Sequence, residues 1–215
     1  MSSAPAQRNY LWPVAIALVV VVGVIAVIAA RSSTSSDGPT EGGAALGNQN
    51  QEVTVEGDAL PVATDTEDPA IGQTIPAVTG ADFAGDPVAI GPDDGAQLIM
   101  FVAHWCPHCQ AEVPRVLSHL EDSPLPDGVR LVMVSTSVQS TADNYPPQSW
   151  LEGEGWDGET LADSTEAGAA AAFGIGGFPY FVVTDASGQV VARTSGEITM
   201  DQFDQLVDLA AGTAG

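Results

Sequence analysis

Apolar and polar positions along this chain form three kinds of pattern. The first is a long unbroken apolar stretch. From Asn9 to Ala30 no residue is charged, and Pro13 to Ala30 is almost wholly Val, Ile, Ala and Leu. The second is a set of short apolar runs rich in β-branched residues, Leu98 to Ala103 and Val129 to Ser135, which predict buried strands. The third is helical spacing. Val113, Val116, Leu117 and Leu120 recur every three or four positions and predict a helix from Cys106 to about Leu120, bent at Pro114.

Weaker signals fill in the rest. Alternating Val53 and Val55 predict a short strand at the domain edge, and Thr64 to Pro69 predicts a loop. Ile75 to Val88 predicts a strand pair turning at Gly85-Asp86. Ser140 to Pro147 predicts a loop leading into a short helix at Gln148–Glu152, and Glu166–Phe173 predicts an Ala-rich helix. Tyr180–Thr184 and Val190–Thr194 predict a hairpin across Ala186-Ser187-Gly188, and Met200–Ala211 predicts a closing helix. Strands that alternate with helices and finish in a hairpin and a helix define an α/β core.

These patterns divide the chain. Residues 1–10 read as a short cytoplasmic N-terminus and 11–30 as a transmembrane anchor, because about twenty apolar residues at roughly 1.5 Å each cross a hydrocarbon core of about 30 Å. Tyr10 and Trp12 sit at one edge as interfacial aromatics do. A cleaved signal peptide ending near Ala29-Ala30 is the alternative, although such apolar cores run only about 7–15 residues. Residues 31–50, rich in Ser, Thr, Gly, Ala and Asn, predict a flexible linker reaching about 25 Å. Residues 51–70 form an N-terminal extension of the domain proper, 71–215. The expected placement is a single-pass protein of the cell membrane with an extracytoplasmic domain. Arg8 before the span and Arg31 after it encode that orientation weakly.

Charge narrows the partners. The chain carries 28 acidic residues against 5 basic ones, a net −23. The acids begin only at Asp37, so the charge belongs to the linker and domain. Such a surface excludes nucleic acid as a partner and is repelled by anionic lipid.

The candidate chemistry lies where the Leu98–Ala103 strand meets its helix. Both cysteines of the chain, Cys106 and Cys109, stand there three positions apart in His104-Trp105-Cys106-Pro107-His108-Cys109. With Cys106 as the helix cap and Pro107 at the first helical position, Cys106 faces free N–H groups and the positive end of the helix dipole, which favour a thiolate. Cys109 lies on the same face. The pair can close as a redox-active disulfide, Cys106-Cys109, or open as thiolate and thiol, with Cys106 the nucleophile. His108 offers a donor or cation that would further favour the Cys106 thiolate. A purely structural disulfide in so small a ring would constrain little chain entropy. The remaining alternative is a metal-binding chaperone, for copper or zinc, using His104, Cys106, His108 and Cys109. Single-chain zinc sites usually take two separated ligand pairs, and there is no second pair.

Trp105-Cys106-Pro107-His108-Cys109 resembles the active site of the thioredoxin superfamily. The continuation Gln110-Ala111-Glu112-Val113-Pro114 resembles its membrane-anchored TlpA/ResA-type branch. Gly174 to Asp185, with Phe178-Pro179 at its centre, resembles the family's cis-proline strand. Together the two blocks extend the resemblance over roughly residues 71–212. It implies a thioredoxin-like fold, a central mixed sheet flanked by helices, and a thiol-disulfide oxidoreductase that works on protein thiols and disulfides without a bound cofactor or metal. It implies a membrane redox partner that recharges the cysteine pair. It also implies a cis Pro179 that sets the Phe178 backbone beside the cysteines for substrate pairing.

Trp105 is expected either to shield the disulfide and shape the docking surface or to pack in the core. Glu112 is expected either to carry protons for the buried thiol or to be a solvated first-turn acid. His104 and His119 are expected at the surface. Met100 occupies the position where thioredoxin proper has a buried acid, so proton handling must differ, with Glu112 as the candidate. The Pro-His pair between the cysteines resembles oxidising DsbA-type proteins, whereas the Glu-x-Pro that follows resembles reducing TlpA-type ones. The direction of electron flow is therefore left open.

Overall fold

A computed structural model describes residues 48–62 and 67–212. The predicted cytoplasmic N-terminus (1–10), membrane anchor (11–30) and most of the linker lie outside the described residues. Among the described residues no helix is long and apolar enough to cross a membrane.

Two sheets build the domain. The larger has five strands. Its centre is β4, Ala96–Val102, every residue of which is buried. β5, Val129–Ser135, runs parallel to it, with Leu98 opposite Leu131 and Val102 opposite Ser135. On the other side β7, Tyr180–Thr184, is antiparallel, with Phe101 opposite Tyr180. β8, Val190–Ser195, completes the predicted hairpin with β7. β6, Thr160–Ala162, adds a parallel edge to β5. The smaller sheet is an antiparallel meander of β1 (Thr54–Glu56), β2 (Ala77–Ala81) and β3 (Pro87–Ile90).

Because side chains alternate along a strand, β4 supplies both cores. Leu98, Met100 and Val102 join a cluster with Val113 and Val116 of α1 (Pro107–Asp122) and with Phe203, Leu206 and Ala210 of α4 (Met200–Ala211). Trp150 and Leu151 of α2 (Pro147–Gly153) close that cluster. Ile99 and Phe101 face the opposite side, among Val78, Val88 and Ile90 of the small sheet and Ala169 of α3 (Gly168–Ala172). There Phe101 meets Phe173 with ring centroids 5.4 Å apart. Each fully buried Leu, Ile, Val, Met or Phe side chain among them contributes on the order of 1.5–3 kcal/mol. The result is a thioredoxin-like α/β fold, a mixed sheet flanked by helices. A parallel β4–β5 pair needs a crossover, and α1 supplies it.

Three details depart from the pattern reading. β6 has only three residues, and its strand character comes from pairing with β5. α3 begins two residues later than predicted, because Ala167 adopts a left-handed φ of 56° and the Asp163 carboxylate caps the turn. Asp163 is fully buried; it accepts from the N–H groups of Ser164 and Ala169 at 2.8 Å each, of Ala170 at 3.1 Å, and from the Thr136 hydroxyl at 2.7 Å. Finally, Gln49 and Asn50, at the end of the predicted linker, are anchored on the domain. The Gln148 N–H donates to Gln49 at 3.0 Å, and the Asn50 amide donates to the Asp163 carbonyl at 3.0 Å.

Candidate active site

The end of β4 delivers the chain to the cysteine motif, and Cys106 is the N-cap of α1 with an extended backbone. Pro107 occupies the first turn, where a missing N–H costs nothing. Both cysteines are buried, Cys109 completely, and they are unbridged in this structure. Cys106 Sγ lies 3.6 Å from the Phe178 carbonyl oxygen. The Phe178–Pro179 peptide is cis, and the Pro179 carbonyl is held by the Gly196 N–H at 2.8 Å. The two sequence blocks singled out above thus meet at Cys106, 72 residues apart in the chain.

Cys109 Sγ accepts the Ala103 N–H at 3.5 Å. Burial pushes its thiol far above the ordinary range, with the Cys106 sulfur and the Glu112 carboxyl adding to the effect and only the Ala103 N–H opposing it. Of the two sulfurs, Cys106 sits at the helix N-terminus and Cys109 sits in an environment that keeps it protonated.

Glu112 is wholly buried, so the solvated-acid alternative is overturned. Its Oε2 accepts from Arg115 at 2.7 Å and its Oε1 from the Ile198 N–H at 3.2 Å. Burial raises its carboxyl above the usual carboxylate range; the Ile198 N–H and Arg115 counter part of this, and Glu197 reinforces it. The Glu112 carboxyl also bears electrostatically on the buried Cys109 thiol. Met100, at the position of the missing acid, is buried in the apolar core.

Trp105 takes the core-packing role of its two expected ones. It packs partly buried against the core, its ring stands edge-on to Phe178 at 6.2 Å, and its indole N–H donates to the Ser137 carbonyl at 2.8 Å. It thereby ties the cysteine motif to the loop between β5 and α2.

His104 corrects the sequence expectation most sharply. It was expected at the surface and is 1% exposed. Nε2 accepts from the Gln139 N–H at 3.1 Å, so Nδ1 carries the proton and donates to the Asp143 carbonyl at 2.8 Å. His104 is a clasp for the same loop, and both of its ring nitrogens are engaged by backbone. His108 is turned to Glu197, Nδ1 to Oε1 at 2.7 Å. The four side chains of the metal alternative therefore do not converge, and among the described residues no group of three or more His, Cys, Asp or Glu side chains is placed to hold a metal. His119, also expected at the surface, is half-buried, bonded to Asp204 at 2.6 Å and edge-on to Phe203.

Residues that the sequence did not flag are Glu197, Arg115 and Ser137. Each acts through a partner distant in the chain, and only Arg115, three residues after Glu112, left a local trace.

Comparison with known proteins agrees with this fold. The fold matches the thioredoxin domain of a thiol-disulfide oxidoreductase from Bacteroides vulgatus, with 21% identity over 66% of this chain and 99% of that one, TM-score 0.53. It also matches a thiol:disulfide interchange protein of the thioredoxin family from Chlorobium tepidum, with 24% identity over 72% of this chain and 99% of that one, TM-score 0.52. At these identities the likeness is one of fold. No curated protein matches the chain. The family model of the thioredoxin-like domain matches residues 86–211. That match runs from β3 through the cysteine motif and the cis-proline strand to the end of α4, and it covers more than half of the sequence, so the chain belongs to the thioredoxin-like domain family.

Proposed function

We propose that this protein is a membrane-tethered thiol-disulfide oxidoreductase of the TlpA/ResA type, working on protein thiols and disulfides in an extracytoplasmic space. The observation that carries the reading is the asymmetry of the sulfurs. Cys106 caps α1 beneath the Phe178–Pro179 turn, while Cys109 is sealed behind it with Glu112 close by.

In the reducing direction, the Cys106 thiolate attacks one sulfur of a substrate disulfide. A mixed disulfide forms and the other substrate sulfur leaves as a thiolate. Cys109 passes its proton to Glu112, attacks Cys106 Sγ and releases the second substrate thiolate. The two substrate thiolates take up protons, one returned by Glu112 and one from water, so the protein ends as the Cys106–Cys109 disulfide, two electrons poorer, and the substrate ends as two thiols. Run backwards, the same steps oxidise a dithiol substrate. Trp105, Phe178 and Pro179 form the docking surface, where an extended substrate segment pairs with the Phe178 backbone. A membrane redox partner restores the pair after each turnover. The similar solved structures from Bacteroides vulgatus and Chlorobium tepidum carry this activity in their names.

The decisive experiment is trapping. A Cys109→Ser variant retains the nucleophile but lacks the resolving thiol, so it should accumulate mixed disulfides with substrate proteins at Cys106. Failure of Cys109→Ser to capture any disulfide partner, with Cys106 free and accessible, would overturn the reading. For the anchor at 11–30, the full chain should remain in the membrane fraction after carbonate wash with its N-terminus intact. A soluble form beginning near Arg31 would show cleavage instead.

A further inference from the structure

The structure points to a role for Glu197 that no motif announces. We propose that Glu197 is a positioning residue that holds His108 away from the Cys106 sulfur and so restrains the oxidising strength of the Cys106–Cys109 pair. The inference rests on the oxidoreductase reading and deepens it.

Glu197 lies in the short loop between β8 and α4, 89 residues from His108. Its Oε1 is 2.7 Å from His108 Nδ1. A carboxylate only accepts hydrogen bonds, so Nδ1–H is the donor and that nitrogen is committed to Glu197. An exposed pair of this kind contributes little by itself. Here, however, the loop is fixed by its neighbours. The Ile198 N–H donates to Glu112 at 3.2 Å, and the Ile198 carbonyl accepts from Arg115 at 2.8 Å. Arg115 also lies 3.8 Å from Glu197 Oε2. Glu197 is therefore held against α1 from two sides, and His108 is drawn towards the β8–α4 loop rather than left free to fold over Cys106.

The consequence is redox chemistry. Exchange with glutathione converts the protein disulfide and two glutathione thiols into the protein dithiol and one glutathione disulfide, with two electrons and two protons moving together. A donor beside Cys106 stabilises the dithiol form, because that form carries the thiolate, and so makes the disulfide a stronger oxidant. The Pro-His dipeptide between the cysteines supplies such a donor in sequence, and in the fold His108 Nδ1 is engaged by Glu197 instead. This reconciles an oxidising dipeptide with a reducing Glu-x-Pro context.

The test is a double-mutant cycle on the full chain, read as the equilibrium constant against glutathione. Glu197→Ala should favour the dithiol by roughly tenfold, the worth of one charge-assisted hydrogen bond, or about 30 mV less negative for a two-electron couple. Glu197→Gln, which keeps an acceptor for His108, should move it the same way by less. His108→Ala alone should change little, and Glu197→Ala in the His108→Ala background should change nothing further. The inference is overturned if Glu197→Ala leaves the constant unaltered or moves it the other way. It is also overturned if the same shift persists without His108, since Glu197 would then act by its own charge on the cysteines. A wild type with no reversible couple against glutathione would overturn the oxidoreductase reading and this inference with it. A normal couple that ignores Glu197 would overturn this inference alone.

Discussion

The Ala103 N–H donates to Cys109 Sγ at 3.5 Å, and among the described residues this single weak donor is what favours the thiolate at a sulfur otherwise raised by burial, by Cys106 and by Glu112. The two thiols should therefore react very differently. With the reduced protein and iodoacetamide near neutral pH, Cys106 should be alkylated and Cys109 spared until the protein is denatured. Peptide mapping reads this directly; equal labelling of both sulfurs would sink the assignment of nucleophile and resolving thiol.

Glu112 should matter for the second step and not the first. General acid–base assistance typically contributes about 10²–10⁴-fold. Glu112→Gln should slow resolution of a Cys106 mixed disulfide by a factor within that range while leaving Cys106 alkylation nearly unchanged. The stability effect has a definite sign. The folded carboxyl is raised above its unfolded value of 4.5, so its contribution is fully present below pH 4.5 and is lost as pH rises through the raised value. Urea unfolding across that window should show a fall in stability for the wild type that the Gln variant lacks.

Asp68 and Arg193 form the opposite case. The Arg193 side chain is fully buried and donates Nε to Asp68 at 2.7 Å, a second bond running from Nη2. Its remaining donors reach the carbonyls of Phe173 at 3.1 Å and Pro61 at 2.9 Å, pinning the segment before β2 to β8. The hydrogen bond from Arg193 holds the Asp68 carboxyl below its ordinary 3.8. The stabilisation is present above pH 3.8 and is lost as pH falls through the lowered value. Asp68→Asn strands a buried guanidinium and should cost about 3–5 kcal/mol at neutral pH by chemical denaturation. The gap between variant and wild type should narrow in strong acid.

Removing the clasp at His104 should loosen a loop without unfolding the domain. His104→Ala leaves the Gln139 N–H and the Asp143 carbonyl without their partner, at about 1–3 kcal/mol for each group left unsatisfied. Amide exchange at Gln139 should accelerate strongly while the amides of β4 and β5 keep their protection. Uniform acceleration across the sheet would mean that His104 supports the whole core.

Much of this was legible in the sequence, for identifiable reasons. β4 and β5 are continuous apolar runs, α1 and α4 show helical spacing, and the hairpin carries its own turn residues, so local pattern and final structure agree. β6 was missed because three residues hold no period; its place is assigned by a neighbouring strand. His104 was misread because nothing local distinguishes a buried histidine from an exposed one. The loop that covers it passes through left-handed residues Ser137 and Asn144 and a cis Tyr145–Pro146 bond, a path that spacing does not encode. The cysteines were legible from their own spacing and neighbours, whereas the cis proline was legible through the family resemblance of the Gly174 to Asp185 block. Glu197 was not, because its meaning arises only where the end of β8 comes back past the start of α1.

The cations of the domain have one further consequence. The chain contains no lysine, and the three arginines among the described residues each close on a carboxylate of the fold: Arg115 on Glu112, Arg130 on Glu159 and Arg193 on Asp68. Among the described residues no arginine is left without a carboxylate partner, so a molecule approaching the cysteines meets a predominantly negative field. Encounter rates should then sort substrates by charge before any contact is made. Cationic thiols should react fastest at low salt and slow down as added ions shorten the reach of the field to about 10 Å near 0.1 M, while acidic thiols should speed up. The sign of that salt dependence for a captured substrate reports which kind of surface it presents on arrival.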